Sequence, residues 1–271
     1  MDTRPIGVFD SGLGGLTAVR ELARLMPEED LVYFGDTGRV PYGGRSRDIL
    51  VKYARQDTAF LRSFDPKAIV IACGTVSTTA LDVLQAENNI PIFGVVEPAA
   101  RAAAQATKNG KVGLIGTRAS IRSGAYERLL AQLRPGVEVT ARACPLFVPL
   151  VENGRSQVGD IVAETVAAEY LAPIKAQGVD TLILGCTHYP LLKEVIGRYM
   201  GPETALIDVG AQCARWTAVR LDQAGLRTNA VEAGRHRFFV SDSTEDFAAL
   251  ASVFLKEDVG DEVEQIDITV Y

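Results

Sequence analysis

The sequence predicts an α/β fold with mainly parallel strands, arranged as two similar halves around a cleft. Three observations predict it. Short apolar runs alternate with amphipathic stretches, two segments of the first half are echoed in the second, and polar residues follow the ends of the apolar runs. Open α/β sheets bind ligands at the carboxyl ends of their strands. We therefore expect the functional groups to meet in the cleft between the halves.

The strand predictions rest on short runs rich in apolar and β-branched residues. They are Ile6–Phe9, Leu31–Phe34, Ile69–Ala72, Ile92–Val96, Val112–Ile115, Leu182–Leu184 and Phe238–Val240. The helix predictions rest on apolar residues that recur at helical spacing. They include Leu16–Leu25, Ile49–Phe64 and Ile161–Ile174.

Two pairs of segments suggest an internal duplication. Their sequences are IGVFDSG at 6–12 beside VGLIGTR at 112–118, and IVIACGT at 69–75 beside LILGCTH at 182–188. In each segment an apolar run ends in small or hydroxylated residues, and a helical pattern follows. Two such halves facing each other would place one thiol on each side of the cleft, Cys73 from one half and Cys186 from the other.

Charge and cysteine content exclude several classes of protein. The formal net charge is -6 and the pI is near 5.1, which argues against sequence-independent binding to nucleic acid. No apolar run is long enough for a secretory signal or a membrane span. The four cysteines include no Cys-x-x-Cys pair, which indicates free thiols in a reducing compartment. We expect a cytoplasmic protein without a nucleic acid or membrane partner.

The first candidate site is the glycine-rich turn that follows the first predicted strand, with the sequence DSGLGG at 10–15. Its backbone N–H groups suit a carboxylate or phosphate. Thr17 occupies the last position of the dinucleotide-binding spacing G-x-G-x-x-G, so that motif fails. Asp10 has two readings: it binds a substrate ammonium or assists proton transfer, or it caps the next helix.

The second candidate is Cys73, after the strand predicted at 69–72. A lone cysteine in such a place is more often a small buried hydrophobe than a reactive group. Here Gly74, Thr75 and Ser77 supply backbone and hydroxyl donors, and a helix N-terminus follows, which would stabilise a thiolate.

The third candidate repeats this arrangement around Cys186, followed by Thr187 and His188. His188 is one of two histidines in the chain and suits a proton relay or the stabilisation of a thiolate.

Glu152 is either a catalytic carboxylate or an ordinary loop acid. The remaining cysteines and histidine lack such surroundings, so we expect packing for Cys144 and Cys213, and a solvated segment for His236.

Elimination leaves thiol chemistry. The histidines and cysteines show no metal-ligand spacing, and no G-x-S-x-G serine elbow occurs. Two cysteines in equivalent positions act as a nucleophile with a bystander, as a redox pair, or as two acid/base groups. Redox pairs usually lie close together in sequence, so the symmetric arrangement favours proton transfer from opposite sides.

At these residues the chain resembles glutamate racemases of the aspartate/glutamate racemase superfamily. The resemblance spans almost the whole sequence and rests on motifs in the family's order: Asp10-Ser11-Gly12, Gly35-Asp36-Thr37, Pro41-Tyr42-Gly43, Cys73-Gly74-Thr75, Val151-Glu152 and Gly185-Cys186-Thr187-His188-Tyr189-Pro190. It implies two pseudosymmetric domains with the active site between them. We expect residues 1–97 plus 209–271 to form one domain and residues 98–208 the other.

The resemblance also implies an activity. Cys73 would take the α-proton from D-glutamate and Cys186 from L-glutamate, without pyridoxal phosphate, metal or other cofactor. The enzyme would be a homodimer, and its product D-glutamate would be used for peptidoglycan. Asp10, Glu152 and His188 would be auxiliary acid/base groups. The glutamate site would be lined by Asp10, Ser11, Tyr42, Gly43, Gly74, Thr75, Thr187 and His188. The alternatives are a racemase for aspartate or another small amino acid, and a non-catalytic amino-acid-binding regulator.

One position departs from the family pattern, because members commonly have asparagine where this chain has Gly74. The backbone N–H remains, but the missing side-chain amide costs about 1 kcal/mol of substrate binding if nothing replaces it. We therefore predict that Gly74→Asn leaves the Michaelis constant for glutamate unchanged or lowers it.

Overall fold

The computed structural model describes residues 2–256 and 263–271, and within them the chain forms ten strands and twelve α-helices. The strands are β1 Ile6–Asp10, β2 Leu31–Gly35, β3 Ala68–Ile71, β4 Ile92–Gly94, β5 Lys111–Gly116, β6 Glu138–Ala143, β7 Thr181–Leu184, β8 Ala205–Asp208, β9 His236–Val240 and β10 Val263–Gln265.

The helices follow the strands as crossover connections. They are α1 Leu16–Leu25, α2 Arg47–Arg62, α3 Gly74–Thr79, α4 Leu81–Glu87, α5 Val96–Ala106, α6 Arg118–Ser123, α7 Ala125–Leu133, α8 Phe147–Glu152, α9 Ile161–Lys175, α10 Lys193–Met200, α11 Val209–Gln223 and α12 Thr244–Leu255. Short 3₁₀ turns cover Thr37–Arg39, Tyr42–Gly44, Tyr189–Leu192 and Ile268–Val270.

The strands form two parallel sheets. The first has the order β10-β9-β2-β1-β3-β4 and the second the order β6-β5-β7-β8. Every strand pair is parallel. The predicted α/β class with mainly parallel sheets is therefore confirmed.

The sheet orders also reproduce the internal duplication. β2-β1-β3-β4 of the first sheet corresponds to β6-β5-β7-β8 of the second. The segment at 6–12 contains β1 and its echo at 112–118 contains most of β5, while the segments at 69–75 and 182–188 contain most of β3 and β7. Each echoed pair therefore occupies equivalent places in the two sheets.

Several predicted boundaries need correction. The strand predicted as Ile92–Val96 ends at Gly94, and Val96 begins α5 because a valine run suits either state until its partners are known. The helix predicted as Ile49–Phe64 runs from Arg47 to Arg62. Three strands were missed, namely β6, β8 and β10, and each lies at a sheet edge, where one exposed side breaks the apolar run.

The two sheets share one apolar core. A single buried cluster includes Ile6 and Val8 of β1 together with Val112 and Leu114 of β5. α11 packs on α1 and on α5, which places helices between the sheets. A second cluster lies on the other face of the first sheet. None of the helices in the described ranges combines the length and apolar character needed to cross a bilayer.

Candidate active site

The loops that carry Cys73 and Cys186 face each other where the two sheets meet. Both thiols are buried, with 4% and 7% of the residue exposed. A Cβ added at Gly74 would lie 2.5 Å from the carbonyl oxygen of Gly185. Gly74 does not have a positive φ, so glycine is required here by the close approach of the two backbones.

The turn after β1 joins the same site. Asp10 is the buried last residue of β1, and its Oδ2 accepts hydrogen bonds from the backbone N–H groups of Gly12 at 3.2 Å and Gly15 at 3.0 Å. Gly15 precedes α1, so Asp10 does cap the turn before this helix. A Cβ at Gly14 would collide with the side chains of Thr187 and His188. The turn of the first half therefore packs directly on the Cys186 loop.

Cys73 lies in an environment that favours the neutral thiol. Its Sγ donates to Ser11 Oγ at 3.5 Å. Burial, together with the negative charge of Asp10, raises the pKa of Cys73 to about 12, although hydrogen bonds from Ser11 and from the backbone of Val76 act in the opposite direction.

Cys186 lies beside an imidazole instead. His188 Nδ1 is 3.8 Å from Cys186 Sγ, and His188 Nε2 is 3.0 Å from Glu152 Oε1. Burial alone would lower the pKa of His188, but the hydrogen bonds to Cys186 and Glu152 outweigh it and raise the pKa to about 10. The resulting imidazolium places a positive charge beside the sulfur of Cys186.

The 3₁₀ turn Tyr42–Gly44 reaches the second half near these loops. A Cβ on Gly43 would lie 3.1 Å from Cβ of Thr117, and Thr117 Oγ1 is 2.9 Å from Thr75 Oγ1. The hydroxyl of Tyr42 is not free, since it donates to Asp36 of its own half. Within the site, Tyr42 therefore offers its backbone rather than its hydroxyl.

The structure brings the sequence-predicted residues into one region, around the carboxyl ends of β1, β3 and β7. Thr187 adds a link across the halves, because its carbonyl oxygen accepts from Thr17 Oγ1 at 3.0 Å. Glu152, which was ambiguous in the sequence, reaches the site from the end of α8. Thr117 was missed, although the echo aligns it with Ser11 and that signal would have found it.

The other cysteines and the second histidine lie elsewhere. Cys144 and Cys213 are fully buried in the apolar core, and all four cysteines are free thiols. His236 was expected in a solvated segment, but it is the half-buried first residue of β9. Among the described residues, no group of three or more histidine, cysteine or acidic side chains is arranged to hold a metal ion.

The sequence that forms these two sheets and their thiol loops matches a known protein family. The family model described as Asp/Glu/Hydantoin racemase matches residues 38–216. The glutamate racemase of Geobacter metallireducens is 46% identical over 261 residues, covering 96% of each chain. The chain therefore belongs to the glutamate racemases within the Asp/Glu/Hydantoin racemase family.

Solved structures agree in fold over the full length. A glutamate racemase isoform from Bacillus anthracis is 36% identical, with a TM-score of 0.93 and 98% of each chain covered. Glutamate racemase from Francisella tularensis, solved in complex with D-glutamate, is also 36% identical, with a TM-score of 0.92 and 100% of each chain covered.

Proposed function

We propose that this chain interconverts L- and D-glutamate by proton transfer between the substrate α-carbon and two thiols, Cys73 and Cys186. The observation that carries the proposal is the meeting of two equivalent, buried thiol loops from opposite sheets at Gly74 and Gly185. A planar carbanion bound between two such groups accepts a proton on either face. Family membership supports glutamate as the substrate.

The surroundings of the thiols suggest which one acts first as base and which as acid. Cys73 begins as the thiol. Cys186 lies beside the imidazolium of His188, and its thiolate is the form that acts as the base toward L-glutamate. With L-glutamate, Cys186 takes the α-proton, and the electron pair of the broken bond remains on the substrate. Cys73 then gives its proton to the opposite face. When D-glutamate is released, Cys73 is a thiolate and Cys186 is a thiol. This is the form of the enzyme that binds D-glutamate and starts the reverse reaction.

The substrate is held by donors close to both thiols. Ser11 and Thr75 of the first half and Thr117 and Thr187 of the second offer hydroxyl groups, and the glycine-rich turns offer N–H groups. Donors on the substrate carboxylate stabilise the negative charge that develops when the α-proton leaves. These groups account for the reaction with no cofactor. A homodimer, a cytoplasmic location, a role in peptidoglycan synthesis and the domain boundaries at 97/98 and 208/209 remain predictions.

The proposal is tested with purified, chelator-treated protein, without pyridoxal phosphate, by following loss of the circular dichroism of L-glutamate. In deuterated water, early D-glutamate should carry deuterium while the remaining L-glutamate stays largely unlabelled. Transfer of the original hydrogen into D-glutamate would contradict two separate bases. A strict requirement for added metal or pyridoxal phosphate would overturn the cofactor-free reaction.

The chain supplies its own matched controls. Cys73→Ala and Cys186→Ala should stop racemisation, whereas Cys144→Ala and Cys213→Ala, which also remove a buried free thiol, should retain it. Faster turnover of aspartate than glutamate would favour the alternative substrate. Glutamate binding without any loss of dichroism would favour a non-catalytic regulator.

A further inference from the structure

A buried cluster of charged groups lies behind the 3₁₀ turn Tyr42–Gly44. Its centre is Asp36, which is fully buried at the end of β2. Asp36 Oδ2 accepts hydrogen bonds from the Tyr42 hydroxyl and from Arg39 Nε, the latter at 2.5 Å. Asp36 Oδ1 accepts from Ser241 Oγ at 2.8 Å. Three donors therefore converge on one carboxylate, which fixes its orientation.

A second buried carboxyl group belongs to the same cluster. Asp57 of α2 accepts from Arg39 Nη2 at 2.8 Å, and its Oδ2 is 3.4 Å from the Tyr42 hydroxyl oxygen. Burial and the neighbouring Asp36 raise the pKa of Asp57 well above its usual value, which favours its protonated form. Arg39 pairs with both carboxyl groups and bridges them. The Tyr42 hydroxyl is within donating distance of both carboxyl groups, but its contact with Asp36 is much the shorter of the two.

Tyr42 links the side chains of this cluster to the proposed site, while the backbone N–H of Asp36, which a side-chain substitution leaves in place, donates to the Asp10 carbonyl oxygen at 3.0 Å. The tyrosine is 2% exposed, and its ring packs on Tyr53 with the ring centroids 5.4 Å apart. The next residue, Gly43, lies against Thr117 of the second half, and Thr117 contacts Thr75 beside the Cys73 loop. Fixing the Tyr42 hydroxyl therefore fixes where the first half meets the second.

We propose that Asp36 is a positioning residue for substrate binding, which acts through the Tyr42 hydroxyl to hold Gly43 against Thr117, with Asp57 as the more distant acceptor of the same hydroxyl. The inference rests on the proposed function, because the segment it positions would line the glutamate site. Asp36 itself transfers no proton to the substrate. We expect its substitution to change substrate binding rather than proton transfer, since neither Asp36 nor Asp57 contacts a thiol in the described structure.

The experiment compares Asp36→Asn, Asp57→Asn and Tyr42→Phe in the full-length protein, with kcat and KM measured for both enantiomers and D-glutamate binding measured by calorimetry. Asp36→Asn and Tyr42→Phe should raise KM and weaken D-glutamate binding about tenfold, while kcat at saturation changes little. Asp57→Asn should have a clearly smaller effect, because Asp57 Oδ2 lies 3.4 Å from the Tyr42 hydroxyl oxygen and the closer hydrogen bond to Asp36 remains. In Asp36→Asn, by contrast, the three donors that converge on the carboxylate face an amide, whose nitrogen cannot accept a hydrogen bond.

The matched control is another buried ion pair of the same sheet. Lys67 pairs with Glu29 and donates to the Asp2 carbonyl oxygen at 2.8 Å, at the amino end of β3 and away from the site. Lys67→Met should lower the melting temperature and leave KM unchanged. A rise in KM for this variant as large as that for Tyr42→Phe would reduce the effect to general destabilisation and overturn the proposal.

The remaining outcomes of the experiment also test the role of Asp36. Equal effects of Asp36→Asn and Asp57→Asn, or a fall in kcat with unchanged KM, would overturn the assignment. If Asp36→Asn fails to fold, Tyr42→Phe decides by itself, because it removes only one hydroxyl. Failure of the wild-type protein to racemise glutamate would refute the proposed function, whereas an active wild type with unaffected variants would refute only the role of Asp36.

Discussion

The loops around Cys73 and Cys186 occupy equivalent places in two similar sheets, yet their chemical surroundings differ. Burial of Cys73 and the neighbouring carboxylate of Asp10 both raise the pKa of its thiol. The echo places Gly116 where the first half has Asp10, so the second half lacks that carboxylate. Its acid/base groups are His188 and Glu152, which place an imidazolium beside Cys186. Similar backbones thus give the two thiols opposite electrostatic surroundings, an anion beside Cys73 and a cation beside Cys186.

Thermodynamics limits how this asymmetry can be observed. Two enantiomers have equal free energies, so kcat/KM must be the same in both directions for any variant. The difference between the thiols therefore has to appear in isotope exchange, or in kcat and KM taken separately.

The largest effect is expected when one thiol is removed. Cys73→Ala and Cys186→Ala should each lose racemisation by about 1,000-fold or more, because inversion needs a base and an acid together. Cys73→Ala should still wash the α-hydrogen of L-glutamate into deuterated water without inversion, since Cys186 and its partner His188 remain in place. Cys186→Ala should wash out the hydrogen of D-glutamate much more slowly at neutral pH, because the pKa of Cys73 is about 12. Nuclear magnetic resonance measures both exchanges, and equal washout rates would contradict the asymmetry.

The next largest effect concerns His188. His188→Asn should lower kcat/KM about 100-fold in both directions, because the Cys186 thiolate loses its cationic partner. Glu152→Gln should lower it about tenfold, since Glu152 acts on the thiol only through His188. An unchanged kcat/KM in His188→Asn would show that the imidazolium does not stabilise the thiolate.

The same residue predicts a pH dependence of stability. The pKa of His188 rises from its usual 6.5 to about 10 in the folded protein. A raised pKa stabilises the folded state in full below pH 6.5, and that contribution is lost as the pH rises through about 10. The difference in free energy of unfolding between the wild type and His188→Asn should shrink over this range. Chemical denaturation at several pH values measures it, and a difference that grows with pH would contradict the assigned shift.

The sequence predicted most of this arrangement, and the parts it missed have physical reasons. Buried central strands such as β1 and β3 are continuous apolar runs, whereas edge strands such as β6 have exposed polar positions and lack that signal. The thiols stood out because the same pattern occurs twice. The contact of Glu152 with His188, however, joins residues 36 positions apart and depends on how α8 packs.

The motif around Gly74 does not reveal how closely this residue approaches the backbone of the second half. From the sequence, asparagine at this position was expected to leave the KM for glutamate unchanged or lower it. The structure reverses that expectation, because a Cβ would lie 2.5 Å from the Gly185 carbonyl oxygen and the backbone would have to shift. Gly74→Ala and Gly74→Asn should both raise KM about tenfold, since both carry a Cβ. Steady-state kinetics decides, and a lower KM for asparagine beside a higher one for alanine would show that the amide compensates.

The smallest effect tests how firmly the Cys186 side is held. The ring of Phe254 in α12 is fully buried and packs edge to face against His188, with the ring centroids 5.4 Å apart. Phe254→Leu keeps an apolar side chain but loses this contact, which is worth about 1 kcal/mol, so kcat should fall by about two- to tenfold as His188 gains freedom. Phe247→Leu is the matched control, because Phe247 is buried in the same helix but packs on Tyr33. It should lower the melting temperature without changing kcat, and an equal loss of kcat in both variants would assign the effect to α12 as a whole rather than to the His188 contact.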